Sequence, residues 1–254
     1  MSFHRLLFGL ILALALGTIV PYPARALTAA FNVNPIRVFL GKSAASATFS
    51  IENKNRETLR LEVRAYSWTD ERNGKPVLAP TTDVIVFPTV LEIPPSRQRS
   101  VRIAYSGRIE SKELTYRLAF DELPSLEGQL AKRAAPDNEI LTRITVPVFI
   151  RPPAATAKAQ IDRLTLAGGK VLVSISNQGN VHVTLASARI VGRDASGSAV
   201  LNEQIDGWYV LAGKTWDFQV PAGAACGKIR TLSVTVDSDV GRMSKAVEAS
   251  AGAC

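Results

Sequence analysis

The chain has 254 residues, 46% of them hydrophobic, enough for one large or two ordinary domains. Its formal charge is +8, yet no dense Lys/Arg run with interleaved aromatics is present, which argues against nucleic acid as a partner. Two histidines and two cysteines are too few for a multi-histidine metal site, and neither cysteine has the C-x-x-C spacing of redox or zinc chemistry.

The first segment reads as an export signal. His4 and Arg5 precede an uncharged apolar run from Leu6 to Val20, and Ala24-Arg25-Ala26 places small residues three and one before a cut. This predicts a signal peptide over 1–26, cleaved after Ala26. The run is too short to span a bilayer comfortably. Export implies an oxidising compartment, so Cys226 and Cys254 are expected to pair. A loop of that length stabilises by roughly 3–4 kcal/mol in the chain-entropy account.

Beyond the signal, helical periodicity is nearly absent and short alternating runs recur between Gly, Pro, Asn and Asp. Ala47 to Ile51 alternates before the polar turn Glu52-Asn53-Lys54-Asn55. Leu59, Leu61, Val63 and Ala65 alternate with Arg60, Glu62 and Arg64, one face apolar and the other charged. Asn73-Gly74 is a turn signal. Val84 to Phe87, Arg99 to Tyr105, Leu114 to Phe120 and Ile140 to Ile150 complete a first set, the last of them after a long polar loop, Ser125 to Asn138. A second set follows: Ile161 to Leu166, Lys170 to Ser176, Val181 to Val191, Gln204 to Leu211, Thr215 to Val220 and Lys228 to Val236. Arg151-Pro152-Pro153-Ala154-Ala155 separates the sets, because two prolines cannot extend a ladder. The organisation predicted is all-β: two immunoglobulin-like β-sandwich domains at an angle, over 27–152 and 153–254.

An enzyme is not indicated. Asp121 and Glu122 are adjacent, so on a strand they point to opposite faces. Asp237 and Asp239 share a face near a turn but carry no pocket signature. His182, the one histidine left after cleavage, sits in the alternating stretch Asn180 to Thr184 and is read as a strand residue facing solvent. Neither a Gly-rich phosphate loop nor G-x-S-x-G is present, and no cofactor, nucleotide or metal is expected. The more informative feature is the run from Ile140 to Ile150. Ile140, Thr142, Ile144, Val146, Val148 and Ile150 share one parity, and Leu141, Arg143, Thr145, Pro147, Phe149 and Arg151 the other. A nearly unbroken aliphatic row at the end of a sandwich is either a core strand or an exposed edge, which a partner must cover.

Several motifs in order resemble one family. Asn34-Pro35-Ile36-Arg37-Val38 looks like the first-strand motif of the periplasmic pilus chaperones of the chaperone–usher class. So do Phe87-Pro88, Leu91, Ile93-Pro94-Pro95 and Ser100-Val101-Arg102-Ile103. Glu113 to Pro124 is close to the family's most recognisable stretch, and Val146-Pro147-Val148-Phe149-Ile150-Arg151-Pro152 matches the end of its donor strand. The last form looks more like the archaic, spore-coat-associated branch. These matches cover most of residues 31–153; beyond them only Asp239-Val240-Gly241 and the C-terminal cysteine pair look familiar.

The resemblance implies a periplasmic protein that assists folding without ATP. It would lend a strand, here Ile140, Thr142, Ile144, Val146 and Val148, to the incomplete sheet of a pilus subunit, and pass the subunit to an outer-membrane usher. The subunit's C-terminal carboxylate would be held by basic residues in the cleft between the domains, with Arg37 at one anchor position. A guanidinium suits that task because it grips a carboxylate bidentately. The family's better-known branch has a lysine where this chain has Pro147, so the second anchor is open; Arg143, Arg102 and Arg117 are the weaker candidates. Pro147 also removes a backbone donor, so pairing there is expected to pass through an edge or bulge. Glu122, Arg151 and Asp239 would form an ion network across the domain junction. The alternative is an exported immunoglobulin-like adhesin or structural pilus component. Self-association of free protein through exposed edge strands is left open.

Overall fold

The computed structural model describes residues 31–70, 76–124, 141–249 and Cys254. The export signal, the Asn73-Gly74 turn, the polar loop Ser125 to Asn138 and Ile140 lie outside the described residues. Ten strands fall before the double proline: β1 (Phe31–Asn34), β2 (Val38–Leu40), β3 (Ser46–Asn53), β4 (Leu59–Asp70), β5 (Pro76–Pro80), β6 (Val84–Phe87), β7 (Val90–Ile93), β8 (Gln98–Tyr105), β9 (Leu114–Leu123) and β10 (Arg143–Ile150). Eight follow it: β11 (Ala159–Ala167), β12 (Lys170–Asn177), β13 (Val183–Arg193), β14 (Ala199–Asp206), β15 (Tyr209–Val210), β16 (Thr215–Pro221), β17 (Thr231–Ser238) and β18 (Gly241–Glu248).

The first ten strands make two facing sheets. One is ordered β1-β3-β8-β6; the other is ordered β2-β10-β9-β4-β5, with β7 also paired to β4. The alternation read from the sequence explains the packing. Leu59, Leu61 and Val63 of β4 are buried while Arg64 faces outward, so the apolar face meets Phe49, Ile51, Val101 and Ile103 of the other sheet in one core. Each large apolar side chain removed from water there is worth about 1.5–3 kcal/mol. Asn53, expected in a polar turn, is instead buried, and its Nδ2 donates to Glu57 O and Ile93 O, both at 2.8 Å. The turn is polar because the amide closes it from within.

The later strands form a second pair of sheets, β11-β12-β16 and β14-β13-β17-β18, with β15 pairing β13. Their core holds Val171, Val173, Ile175, Ile190, Val234 and Val236. The expected Cys226–Cys254 disulfide is formed, and it ties a buried residue of the 3₁₀ turn Gly223–Lys228 to the chain's last residue. The fold is thus all-β, with two sandwiches, as expected. The alternating runs of the sequence do not include the short strands β1, β2 and β7, and Gln204 to Leu211 runs across the end of β14 into β15. Nor do they include β5, fully exposed and bounded by Pro76 and Pro80, or β18, where only part-buried and exposed residues alternate.

A third, smaller apolar cluster joins the halves. Trp68 of β4 and Phe149 of β10 bury against Leu211, with Tyr209 packed on them. Beside it, Asn180 Nδ2 donates to Ser111 O and Ala154 O, and Thr156 N–H donates to Asn180 Oδ1. The backbone of Gly179 passes so close to the connecting segment that a Cβ there would stand 2.2 Å from Thr156 O.

Candidate functional site

The two edges of β10 have different fates. One runs antiparallel to β9 along its whole length, from Arg143↔Asp121 to Ile150↔Leu114. The other meets β2 in parallel, over Val148↔Val38, Phe149↔Phe39 and Ile150↔Leu40 only. Along Arg143 to Pro147 this second edge has no strand beside it among the described residues. Backbone N–H and C=O groups on an open edge are a template for another strand.

The side chains divide by parity. Val146, Val148 and Ile150 are buried in the first core, and Ile144 packs at its margin, partly exposed. Val146 and Val148, expected among the side chains offered to a partner, are therefore already enclosed by β9 and the facing sheet. Thr142 and Ile144 are the part-buried members of the row. Pro147 pairs with Arg117 without a register shift, so no bulge forms. It lies on the stretch whose second edge is open, where a missing N–H is tolerated. Since Val148 faces Val38, Pro147 is level with Arg37.

The other parity of β10 builds an aromatic stack with β2. Register places Phe149 beside Phe39, ring centroids 5.6 Å apart. His182, just before β13, stacks on Phe149 at 3.7 Å and on Phe39 at 6.0 Å. Tyr209 closes on His182 edge-to-face at 5.4 Å. His182 is 4% exposed, so the solvent-facing strand residue expected from alternation is a core residue of the junction. The cause lies in the first sandwich: Glu113, itself buried, accepts the His182 backbone N–H at 2.8 Å, and its Oε1 lies 2.6 Å from the ring Nδ1, which donates to it.

Arg37 and Arg151 approach this stack from opposite ends. Arg37 lies just before β2, two residues from Phe39, and Arg151 just after β10, two residues from Phe149. The Arg37 guanidinium carbon lies 5.3 Å from the Phe39 centroid, and that of Arg151 4.3 Å from the same centroid. Both side chains are exposed, and neither has an ion-pair or side-chain hydrogen-bond partner among the described residues. A cavity of about 500 Å³ opens beside Arg151, lined by Phe39, Lys42 and Pro152 among others but not by Arg37.

The weaker anchor candidates lie elsewhere. Arg143 is ion-paired to Asp121, whose hydrogen bond, more than its charge alone, holds the guanidinium pKa above its ordinary value. Arg102 is on β8 of the other sheet and donates to Ser46 Oγ at 3.0 Å. Arg117 stacks on Trp68 at 4.0 Å and reaches Trp208 at 5.9 Å. The expected ion network of Glu122, Arg151 and Asp239 is not formed. Glu122 stands near the far end of β9, eight residues from Leu114 and so about 27 Å from the end of the sheet that Arg151 leaves. There it accepts the Thr142 N–H at 3.0 Å. Asp239 accepts the Thr184 N–H at 3.0 Å. The carboxylate at the junction is Glu113, at the other end of the same motif. Phe39, Glu113 and His182 are thus site residues that sequence reasoning missed. Their nearest signal was the shared parity of Arg37 with Phe39 and of Phe149 with Arg151.

The two all-β sandwiches thus carry an apolar strand with a half-open edge and, over one ring, two arginines without an ion-pair partner among the described residues. Residues 30–156 match the family described as pili and flagellar-assembly chaperone, PapD N-terminal domain. The match spans half of the chain, and the chain belongs to that family, a family of assembly chaperones and not of enzymes. No curated sequence matches. Solved structures share the fold at low identity. A chain of the CsuC–CsuE chaperone–tip adhesion subunit pre-assembly complex, from archaic chaperone–usher Csu pili of Acinetobacter baumannii, is 18% identical with a TM-score of 0.59, over 87% of this chain and 98% of that one. The YadV chaperone is 16% identical with a TM-score of 0.58, over 86% and 99%. The CupB2 chaperone of Pseudomonas aeruginosa is 18% identical with a TM-score of 0.53, over 85% and 100%.

Proposed function

We propose that this chain is a periplasmic chaperone that holds pilus subunits by donor-strand complementation and delivers them to an outer-membrane usher. Residues 1–26 are its export signal, 27–152 the domain that lends the strand and 153–254 the second sandwich. The observation that carries the reading is β10, whose edge is unpaired among the described residues from Arg143 to Pro147 and is taken up by β2 only at Val38 to Leu40. A subunit strand lying against that open edge gains main-chain hydrogen bonds. Ile140, Thr142 and Ile144 supply side chains for its groove, and its chain end meets the Arg37 guanidinium. Family membership supports the chaperone role. The Csu complex and the SafA pilin–SafB chaperone complex support a subunit as the partner class.

The test is co-expression in a periplasm with each pilus subunit encoded nearby, followed by affinity purification and mass spectrometry. The expected result is a one-to-one complex with a subunit that aggregates when expressed alone. A monomeric chain that captures none of those subunits overturns the reading.

A further inference from the structure

We propose that this chain pairs with a second copy of itself, edge to edge along β6. The inference is independent of the donor-strand reading and leaves the open edge of β10 free: β6 lies against β4, which is separated from β10 by β9. Folded proteins protect exposed sheet edges with charges, prolines or broken register. Here β5 has Pro76 and Pro80 at its ends, β7 carries Glu92, β14 Glu203 and β18 Lys245, and β11 breaks register between Ile161 and Arg163. β6 also ends its sheet, and it has none of these devices: it reads Val-Ile-Val-Phe. Its outward side chains are bare, Ile85 at 55% and Phe87 at 76% exposure. The backbone is equally open. Ser106 N–H donates to Asp83 O at 2.9 Å, so by alternation Ile85 and Phe87 also turn their peptide groups toward β8, while Val84 and Val86 turn theirs to the free side. No backbone partner meets them there among the described residues.

The surroundings of the edge name its occupant. A cavity of about 610 Å³ separates β6 from β4, with Val84 and Val86 on one wall and Val63 and Ala65 on the other. The two charged residues that line it, Glu62 and Arg64, are paired with each other, so the cavity offers no free charge to an incoming strand. It fits an extended, uncharged, apolar segment, and β6 is such a segment. Antiparallel pairing about a two-fold axis sets Ile85 opposite the partner's Ile85, and Val84 opposite the partner's Val86. The valines then exchange the main-chain hydrogen bonds that each copy leaves unmade. Their side chains, which face inward, extend over the cavity of the opposite copy. The same pairing carries Asp83, just before β6, to the end of the partner strand where Phe87 lies beside Arg102, so the acidic end of each strand meets the basic end of the other.

The experiment is sedimentation equilibrium of the mature chain without any subunit, from micromolar to near-millimolar concentration. The expected result is a monomer–dimer equilibrium. Ile85→Lys puts a charge on an exposed position of the edge and should leave a monomer at every concentration, with the thermal midpoint unchanged. Ile85→Cys tests the register directly. Directly opposed strand positions stand within disulfide reach, so mild oxidation should convert this variant to a covalent dimer, while Val77→Cys on the proline-guarded β5 should stay uncrosslinked. A chain that is monomeric throughout overturns the proposal. So does a dimer that survives Ile85→Lys, or one that Ile144→Lys dissociates and Ile85→Lys does not, because association would then run through β10. Equal cross-linking of the two cysteine variants would likewise mean random collision and no paired edge.

Discussion

At the residue scale the decisive group is Glu113. It is buried at the start of β9, and one of its oxygens serves two donors of His182, the backbone N–H and ring Nδ1, 69 residues away. Leaving buried donors without an acceptor costs about 1–3 kcal/mol each, which exceeds the net worth of a typical hydrogen bond. Glu113→Leu should therefore destabilise the chain by about 3 kcal/mol. Glu113→Gln, which keeps an acceptor in place, should cost less than half of that. Urea unfolding followed by tryptophan fluorescence measures both. Equal losses for the two variants would mean that packing, and not the shared oxygen, fixes His182.

At the element scale β10 shows what local pattern can and cannot reveal. Its parity is legible in the sequence, because alternation of side chains is a property of one strand. The half-open edge is not, because it depends on how few residues β2 contributes, and that is set by the chain's crossing between sheets around Asn34-Pro35. His182 is misread for the same reason: the alternation of Asn180 to Thr184 is local, while the residues that bury it belong to the other sandwich. β18 escapes notice because Arg242, Ser244, Lys245 and Glu248 interrupt any apolar run. The split along β10 yields a paired prediction. Ile144→Asp lies at the core margin and should abolish subunit capture while leaving the thermal midpoint within a few degrees. Val146→Asp buries an unpaired charge and should prevent folding. A fully retained complex with Ile144→Asp would remove that residue from the donor set. In the second sandwich the Cys226–Cys254 bridge closes a segment with a sequence separation of 28. Serine at both positions should lower stability by about 3 kcal/mol, read as a denaturation midpoint that no longer responds to reductant.

At the scale of the whole molecule, the proposed function depends on how the two sandwiches are held, because Arg37 stands over the ring of Phe39 in a stack that both halves complete. Phe39 and Phe149 come from the first, His182 and Tyr209 from the second. The family motif and the all-β class are legible in the chain, but the parts of this junction are scattered among turns and strand ends. Each is held by contacts no local window contains. Asn180 ties several of the connecting segments together. Its side chain bridges Ser111 before β9, Ala154 after the double proline, and Thr156 on the connecting segment. At about 1 kcal/mol per bond, Asn180→Ala should cost about 2–3 kcal/mol at the junction without opening either core. The consequence is directional. Amide exchange should quicken at residues 111–114 and 154–158 and stay unchanged in β3, β8, β12 and β17. Small-angle scattering should broaden the distance distribution at its long end. Subunit affinity should fall even though Asn180 touches neither Arg37 nor Arg151, because Phe39 loses its backing when His182 is free to move. If affinity holds while exchange quickens, the stack is self-supporting within the first sandwich, and the second sandwich serves some purpose other than backing Phe39 beside Arg37.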